Sequence, residues 1–260
     1  MKTNMIDAGH GGYDSGAPGL HVCLEKDIVL EVSNKINDYL KIQDIKNINT
    51  RTTDVFVSLN ERSNKANNLG VNSFVSIHCN SSDNPNAQGL ETYCYKFKYS
   101  PLADAIHSEI IKEGLYTKNR GVKEGNLHVV RETNMPACLV ELGFITNEED
   151  YNLIMNNKDR FAKAIAKGIC KFNGVAWKEY SNIPSNEGFK NGDYSGRKAR
   201  VVADVLNVRY DRGTQYNVIG QVKNGDIVNL QYCLNGWISI EGFKGNKGLG
   251  YVSSKFLELI

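Results

Sequence analysis

The sequence predicts an α/β domain built on a mostly parallel or mixed sheet, followed by a smaller all-β domain. Three observations carry this reading. Over roughly the first two thirds of the 260 residues, short β-branched runs alternate with longer segments whose apolar residues recur at helical spacing. Around Gly174 that alternation stops. From Ala199 onward one strand-like run follows another, separated by turns rich in Gly and Asn, as in a small barrel of about 60 residues.

Taken in order, Thr3–Asp7 is a short buried strand that delivers Gly9-His10-Gly11-Gly12 to its carboxyl end. The helix expected over Lys26–Lys41 places Ile28, Val32, Ile36, Tyr39 and Leu40 on one face, with Glu25 at its first turn. Ile45–Asn49 is a second strand. Ser58-Leu59-Asn60-Glu61 is a capping box, opening a helix that should stop at Gly70. Asn72–Ile77 reads as a central strand with His78 at its end, and Gly89–Tyr95 as another strand. Ser100-Pro101 opens a helix with proline at the first helical position. Leu127–Arg131 and Ala137–Leu142 are further strands, and Glu141 lies near the end of the second. Asn147–Met155 and Asp159–Asn173 are two closing helices. Residues 1–175 thus form one domain, 176–198 a linker rich in Ser, Asn, Gly and Lys, and 199–260 the second domain. Its strands are expected over Ala199–Leu206, Val218–Val222, Ile227–Leu230, Trp237–Ile240 and Gly250–Val252.

Composition narrows the function classes. No apolar run approaches the roughly 18 residues of a membrane span, so no membrane insertion is expected. Residues 176–260 carry 11 Lys and Arg against 8 Asp and Glu, an excess too weak to indicate nucleic-acid binding but compatible with resting on an anionic polymer. The six cysteines show no C-x-x-C pair and read as buried reduced thiols. The opening residues leave no room for a signal peptide, which implies synthesis in the cytoplasm and another route to any site of action outside it.

His10, His78 and Glu141 are all expected beyond or at the carboxyl ends of strands, where sites gather in such sheets. Two imidazoles and the carboxylate of Glu25 make a set that zinc favours in catalytic sites, leaving one coordination position for water. A separate carboxylate is still needed to take the water proton and return it to a leaving amine. Glu141, in an apolar Leu-Val-Glu-Leu context, suits that task because burial raises a carboxyl pKa. Each residue also has a structural reading. His10 could serve a turn, Glu25 a helix dipole, His78 could simply end a strand, and Glu141 could pair with Arg62 or Arg131. Cys79 alternates to the opposite sheet face and reads as core. His21, close to Glu25, is the competing ligand, while His107 and His128 lack acidic company.

The order of motifs resembles a known family. Asp7-Ala8-Gly9-His10-Gly11-Gly12-x-Asp14-x-Gly16-Ala17, Leu24-Glu25-Lys26, Thr50-Arg51-x-x-Asp54 and Leu59-x-x-Arg62-x-x-x-Ala66-Asn67 follow its pattern. So do Ser76-Ile77-His78-x-Asn80, Gly89-x-Glu91 and Met135-Pro136-Ala137-x-Leu139-Val140-Glu141-x-Gly143-Phe144-Ile145-x-Asn147. In these residues the chain resembles the zinc-dependent N-acetylmuramoyl-L-alanine amidases of the amidase-3 family over residues 1 to about 172. Ala8, where proline is usual, and Cys79, where alanine is usual, depart from the pattern without touching a ligand. The resemblance implies a six-stranded mixed sheet flanked by helices. It also implies cleavage of the amide between the lactyl group of N-acetylmuramic acid and L-alanine in peptidoglycan. By position it implies one Zn2+ on His10, Glu25 and His78, with Glu141 as catalytic glutamate. Asn80 and Arg62 are candidate site-lining residues for substrate, with a structural role as the alternative for each.

The tail resembles a bacterial SH3-like domain through Ala203-Asp204-x-Leu206-Asn207-Val208-Arg209, Val218-Ile219-Gly220, Trp237-Ile238 and Gly250-Tyr251-Val252. This implies a cell-wall ligand for that module, with a structural or dimerising role as the alternative. The combination looks like a phage endolysin, or an autolysin of the host. Two rivals stand beside it: a zinc peptidoglycan endopeptidase, and a non-catalytic wall-binding protein.

Overall fold

A six-stranded sheet organises the first of two units, which spans Met1–Lys178; the second spans Glu179–Ile260. The computed structural model describes residues 2–43, 45–178, 189–213 and 216–260. In the first unit, β1 (Thr3–Ala8), α1 (Glu25–Ile42), β2 (Lys46–Asn49), α2 (Leu59–Leu69) and β3 (Ser73–Asn80) come first. They are followed by β4 (Leu90–Cys94), α3 (Pro101–Lys112), β5 (Asn119–Glu124), α4 (His128–Arg131), β6 (Ala137–Phe144) and α5 (Glu148–Asn173). The strand order is β2-β1-β3-β6-β4-β5. All neighbours are parallel except β4 and β6, so the sheet is mixed and mostly parallel, as expected.

Side-chain alternation along the central strands sorts the core. Ile6 and Ala8, Val75 and Ile77, and Val140 and Leu142 point to one face, where they meet α1, α3 and α5 through residues such as Val32, Ile106 and Phe161. Met5, Phe74 and Leu139 point to the other, against Ala66 of α2 and Val129 and Val130 of α4. Both faces are covered, as a largely parallel sheet requires. Ser58 forms the expected capping box with Glu61, and Gly70 closes α2 in the left-handed conformation.

Four local expectations in the first unit need correction. Leu127–Arg131 is not a strand: α4 is a single helical turn, which lets the adjacent Val129 and Val130 both be buried on one side. A strand would have sent them to opposite faces. β5 was not expected, because Asn119–Glu124 is polar apart from Val122; it is an edge strand, where charged residues are tolerated. The two closing helices are one, interrupted only at Asn157, whose φ of −130° departs from helical values. β3 and β6 also run further than expected, so His78 and Glu141 lie inside their strands, not at the last residue.

The second unit is an antiparallel sheet in the order β10-β9-β13-β12-β11-β8-β14, formed by β8 (Lys198–Val201), β9 (Val205–Arg209), β10 (Val218–Lys223), β11 (Ile227–Leu234), β12 (Trp237–Ile240), β13 (Gly250–Ser253) and β14 (Leu257–Leu259). The run expected as one strand over Ala199–Leu206 is split between β8 and β9. A two-residue strand β7 (Gly192–Asp193) pairs with β11, and Phe189 joins this unit's core, both within the stretch expected as linker. Residues 179–188 of that stretch lie outside the described residues. Among the described residues no helix is long and apolar enough to cross a membrane. All six cysteines are unpaired, and five are buried, Cys79 within the main core.

Candidate active site

The site is built at the carboxyl ends of β1, β3 and β6. After Ala8 the chain turns sharply, and His10 itself adopts a φ of +56°, an uncommon conformation for a residue with a side chain. Gly9 has to lack a Cβ, since one placed there would overlap the imidazole of His78. Two arginines fix this loop from below. Arg62, with 2% exposure, donates to the carbonyls of Ala8 (2.6 Å), His10 (2.7 Å) and Val57 (2.9 Å) and pairs with the buried Asp7 at 2.6 Å. Arg51 donates to the carbonyls of Ala8, Gly9 and Lys26. Asp7 also accepts from the hydroxyls of Thr50 and Ser76, so its buried charge is satisfied on all sides.

On that frame stand the three metal candidates. Glu25 opens α1 with its side chain only 4% exposed. His10 Nε2 lies 3.2 Å from its Oε2, and His78 Nδ1 lies 2.9 Å from its Oε1. The backbone amides of Ala17 and Cys79 donate to the same two oxygens, each at 2.9 Å. Gly16 closes over this arrangement: a Cβ there would press on both Glu25 and His10. His10 Nδ1 meets Asp14 Oδ1 at 2.9 Å, and Gly16 N also donates to that oxygen. With a metal ion on Nε2 in place of its proton, this partner would hold the other proton on Nδ1, the outer contact that metal-bound histidines make.

The donor set fits zinc. One ligand atom from each of His10, Glu25 and His78 lies within 4.8 Å of the others. Ligands about 2.1 Å from a tetrahedral ion sit about 3.4 Å apart, which falls within that span. Electrostatics agree. Burial works against ionisation of Glu25, but hydrogen bonds from His10 and His78 outweigh it and hold the carboxyl far below its usual range. Burial lowers the His10 and His78 pKa values, yet contact with Glu25 outweighs this and leaves both raised. The cluster attracts positive charge.

Glu141 stands one strand away from this cluster. Its register partners are His78 on β3 and Glu91 on β4, so the three side chains form a row across one face of the sheet. A bulge between His78/Glu141 and Asn80/Phe144 follows at once, with Gly143 at a φ of +156°. Glu141 Oε2 is buried and finds no hydrogen-bond partner among the described residues. Burial pushes its carboxyl up to about 7, the charge of His78 opposing and those of Glu25 and Glu91 adding to the rise. A carboxyl poised there suits proton transfer near neutral pH.

The remaining sequence candidates separate. Neither Arg62 nor Arg131 is the partner of Glu141: Arg131 pairs with Glu132. Arg62 is directed into the protein with its donors engaged, so it supports the His10 loop and does not line a substrate surface, a correction to its candidate role there. Asn80 ends β3 half-buried, its Oδ1 accepting from the amide of Ser81. His21 is exposed beside Glu148 and takes no place in the cluster. His107 is a structural core histidine between Thr92 and Asn119, and His128 contacts Ser63. Asp14, Asp7 and Arg51 are functional supports to which sequence reading assigned no role, although all three lie within the resembled motifs. Glu91, held by Arg120, Lys123 and the hydroxyl of Tyr93, is another.

Comparison with known proteins places this geometry. Residues 5–171 match the family described as N-acetylmuramoyl-L-alanine amidase, and residues 204–258 match the bacterial SH3 domain. The chain is 42% identical over 174 residues to YqiI of Bacillus subtilis, covering 65% of this chain and 83% of that protein. It is 40% identical over 197 residues to the endolysin of Bacillus phage SPP1, covering 72% and 69%. The catalytic domain of CwlV, an N-acetylmuramoyl-L-alanine amidase from Bacillus (Paenibacillus) polymyxa var. colistinus, superposes with a TM-score of 0.65 at 37% identity, covering 68% of this chain and all of that one. A cluster of two half-buried histidines and a buried glutamate, beside Glu141 on a mixed six-stranded sheet of this order, thus sits in a chain that belongs to the N-acetylmuramoyl-L-alanine amidase family and continues into a bacterial SH3 domain.

Proposed function

We propose that this amidase hydrolyses the bond between the lactyl group of N-acetylmuramic acid and L-alanine in peptidoglycan, using one zinc ion held by His10, Glu25 and His78. The observation that supports it best is the pairing of that cluster with Glu141, whose buried Oε2 has no hydrogen-bond partner among the described residues and whose carboxyl is raised to about 7. Zinc would supply a Lewis acid that polarises the amide carbonyl and acidifies water.

The protein's own groups do the rest. Glu25 neutralises charge and is kept ionised by its two imidazole neighbours. Asp14 holds His10 in the tautomer that leaves Nε2 free. Glu141 accepts a proton from the water whose oxygen attacks the lactyl carbonyl carbon. As the C–N bond breaks, Glu141 returns that proton to the departing alanyl nitrogen, and the proton left on the lactyl carboxyl is released to solvent or taken up by the freed amine, giving a lactyl carboxylate and an alanyl ammonium at neutral pH. Arg51 and Arg62 keep the His10 loop from shifting while charge moves above it. The SH3 domain would hold the enzyme on the wall, and likeness to a phage endolysin supports action there after release from the cytoplasm.

Digestion of purified Gram-positive peptidoglycan, with fragments and new amino termini identified by mass spectrometry, tests the reading. New amino-terminal L-alanine with intact glycan, abolished by a chelator and restored by zinc, is expected. Termini elsewhere in the peptide would make the protein an endopeptidase, and absence of cleavage across several wall types would make it a binding protein.

A further inference from the structure

Beside the metal loop stand two aromatic rings that neither the core nor the proposed chemistry uses. Tyr13 lies three residues after His10, and Phe56 comes from the loop before α2. Their rings stack with centroids 4.2 Å apart and planes 24° from parallel. Tyr13 is nevertheless 83% exposed, and Phe56 38%. Stacking covers one face of Tyr13 and leaves the other in water, an arrangement that contributes little to folding.

The turn that presents Tyr13 is held rigid. Gly11 and Asp14 exchange backbone hydrogen bonds across it at 2.8 and 3.1 Å. Gly12 donates its N–H to Asp54 at 2.7 Å, and Lys26 bridges the Gly12 carbonyl to the same carboxylate. A Cβ on Gly12 would crowd the backbone of Phe56, so the two loops touch at this point. The ring is therefore fixed to the segment that carries His10 and its partner Asp14. Three residues of chain reach at most about 11 Å, so Tyr13 stays near the reaction centre.

We infer that the exposed face of Tyr13, backed by Phe56, is a stacking platform for a hexosamine ring of the glycan strand, which orients the lactyl amide over the site. This deepens the amidase reading and rests on it. In that reaction the scissile amide is attached to a sugar through only a lactyl group, so a sugar ring must lie close to the cluster whenever the bond does. The C–H face of a pyranose is apolar and flat, while its hydroxyls remain hydrated at the rim. A rigid aromatic face open to water matches that chemistry, and a peptide-only substrate would leave it unused.

The test compares two soluble substrates in the full-length zinc-loaded protein: a disaccharide-peptide carrying the lactyl–L-alanine amide, and an N-lactyl-L-alanyl peptide without sugar. The readout is the ratio of their kcat/KM values, which is insensitive to the fraction of active enzyme. The expected result is that Tyr13→Ala lowers this ratio roughly tenfold, a single aromatic contact's share. Cleavage of the sugarless peptide and zinc content should stay at the parent's level, and Tyr13→Trp should restore the ratio. An unchanged ratio in Tyr13→Ala would overturn the platform. Equal loss on both substrates, with zinc lost as well, would reduce Tyr13 to a support of the metal loop. Failure of the parent to release an L-alanyl amino terminus from either substrate would instead overturn the amidase reading beneath it.

Discussion

Two glutamates in one site receive opposite treatment. Glu25 is met by two imidazoles and two backbone amides, and its carboxyl stays ionised far below the usual range. Glu141, one strand further along the sheet, has a buried oxygen without a hydrogen-bond partner among the described residues and a carboxyl raised to about 7. The same residue type is a fixed anion in the first place and, in the second, a carboxyl able to exchange a proton near neutral pH, as the role proposed for it requires. What differs is the supply of donors: backbone amides and imidazoles surround Glu25, while among the described residues none donates to Glu141 Oε2. Pairs of carboxyls driven apart in this way mark acid–base roles.

The largest effect is expected at Glu25. Glu25→Gln removes the negative charge that both imidazoles contact, so zinc should be lost on gel filtration and activity with it, measured by metal content and L-alanine release. Next in size is the frame beneath. Arg62→Met leaves Asp7 buried without its ion pair and should cost about 3–5 kcal/mol of stability, read by denaturant unfolding. Asp14→Ala removes the outer partner of His10 and should weaken zinc binding about 10–100-fold in a competition titration, with the fold unchanged.

The smallest effect concerns pH. In the metal-free protein the Glu141 carboxyl should titrate near 7, followed by carbon-13 NMR of labelled glutamate. A cation at the neighbouring cluster favours the ionised form, so zinc should move that midpoint down. Because the base must be deprotonated, kcat/KM of the zinc enzyme should rise with pH through the lowered midpoint and level off above it. A midpoint that rises when zinc binds would contradict the placement of Glu141 beside the metal.

Much of this was legible in the sequence, for identifiable reasons. The glycine-rich loop, the helix opened by Glu25 and the β-branched strands of His78 and Glu141 have local signals, and these put the four side chains at one end of the sheet. The strand β5 was not legible, since Asn119–Glu124 has one apolar side chain and owes its strand state to pairing with β4. Val129 and Val130 misled because a β-branched pair suits a strand, yet a single helical turn buries both. Arg62 looked like a site residue because an arginine in a motif near a site fits substrate and scaffold equally well. Only its contacts with Asp7 and the carbonyls of Ala8 and His10 decide for the scaffold. The stacking of Tyr13 on Phe56, 43 positions apart, follows from two loops meeting and leaves no periodic trace.

Glu141→Gln separates the two proposed roles, one glutamate holding the metal and the other moving the proton. The amide keeps the shape of the side chain but cannot take a proton. The variant should carry one zinc per chain, keep its unfolding midpoint and release L-alanine about 10²–10⁴-fold more slowly. Near-normal turnover with full zinc occupancy would contradict that division of roles, and so would loss of zinc from this variant.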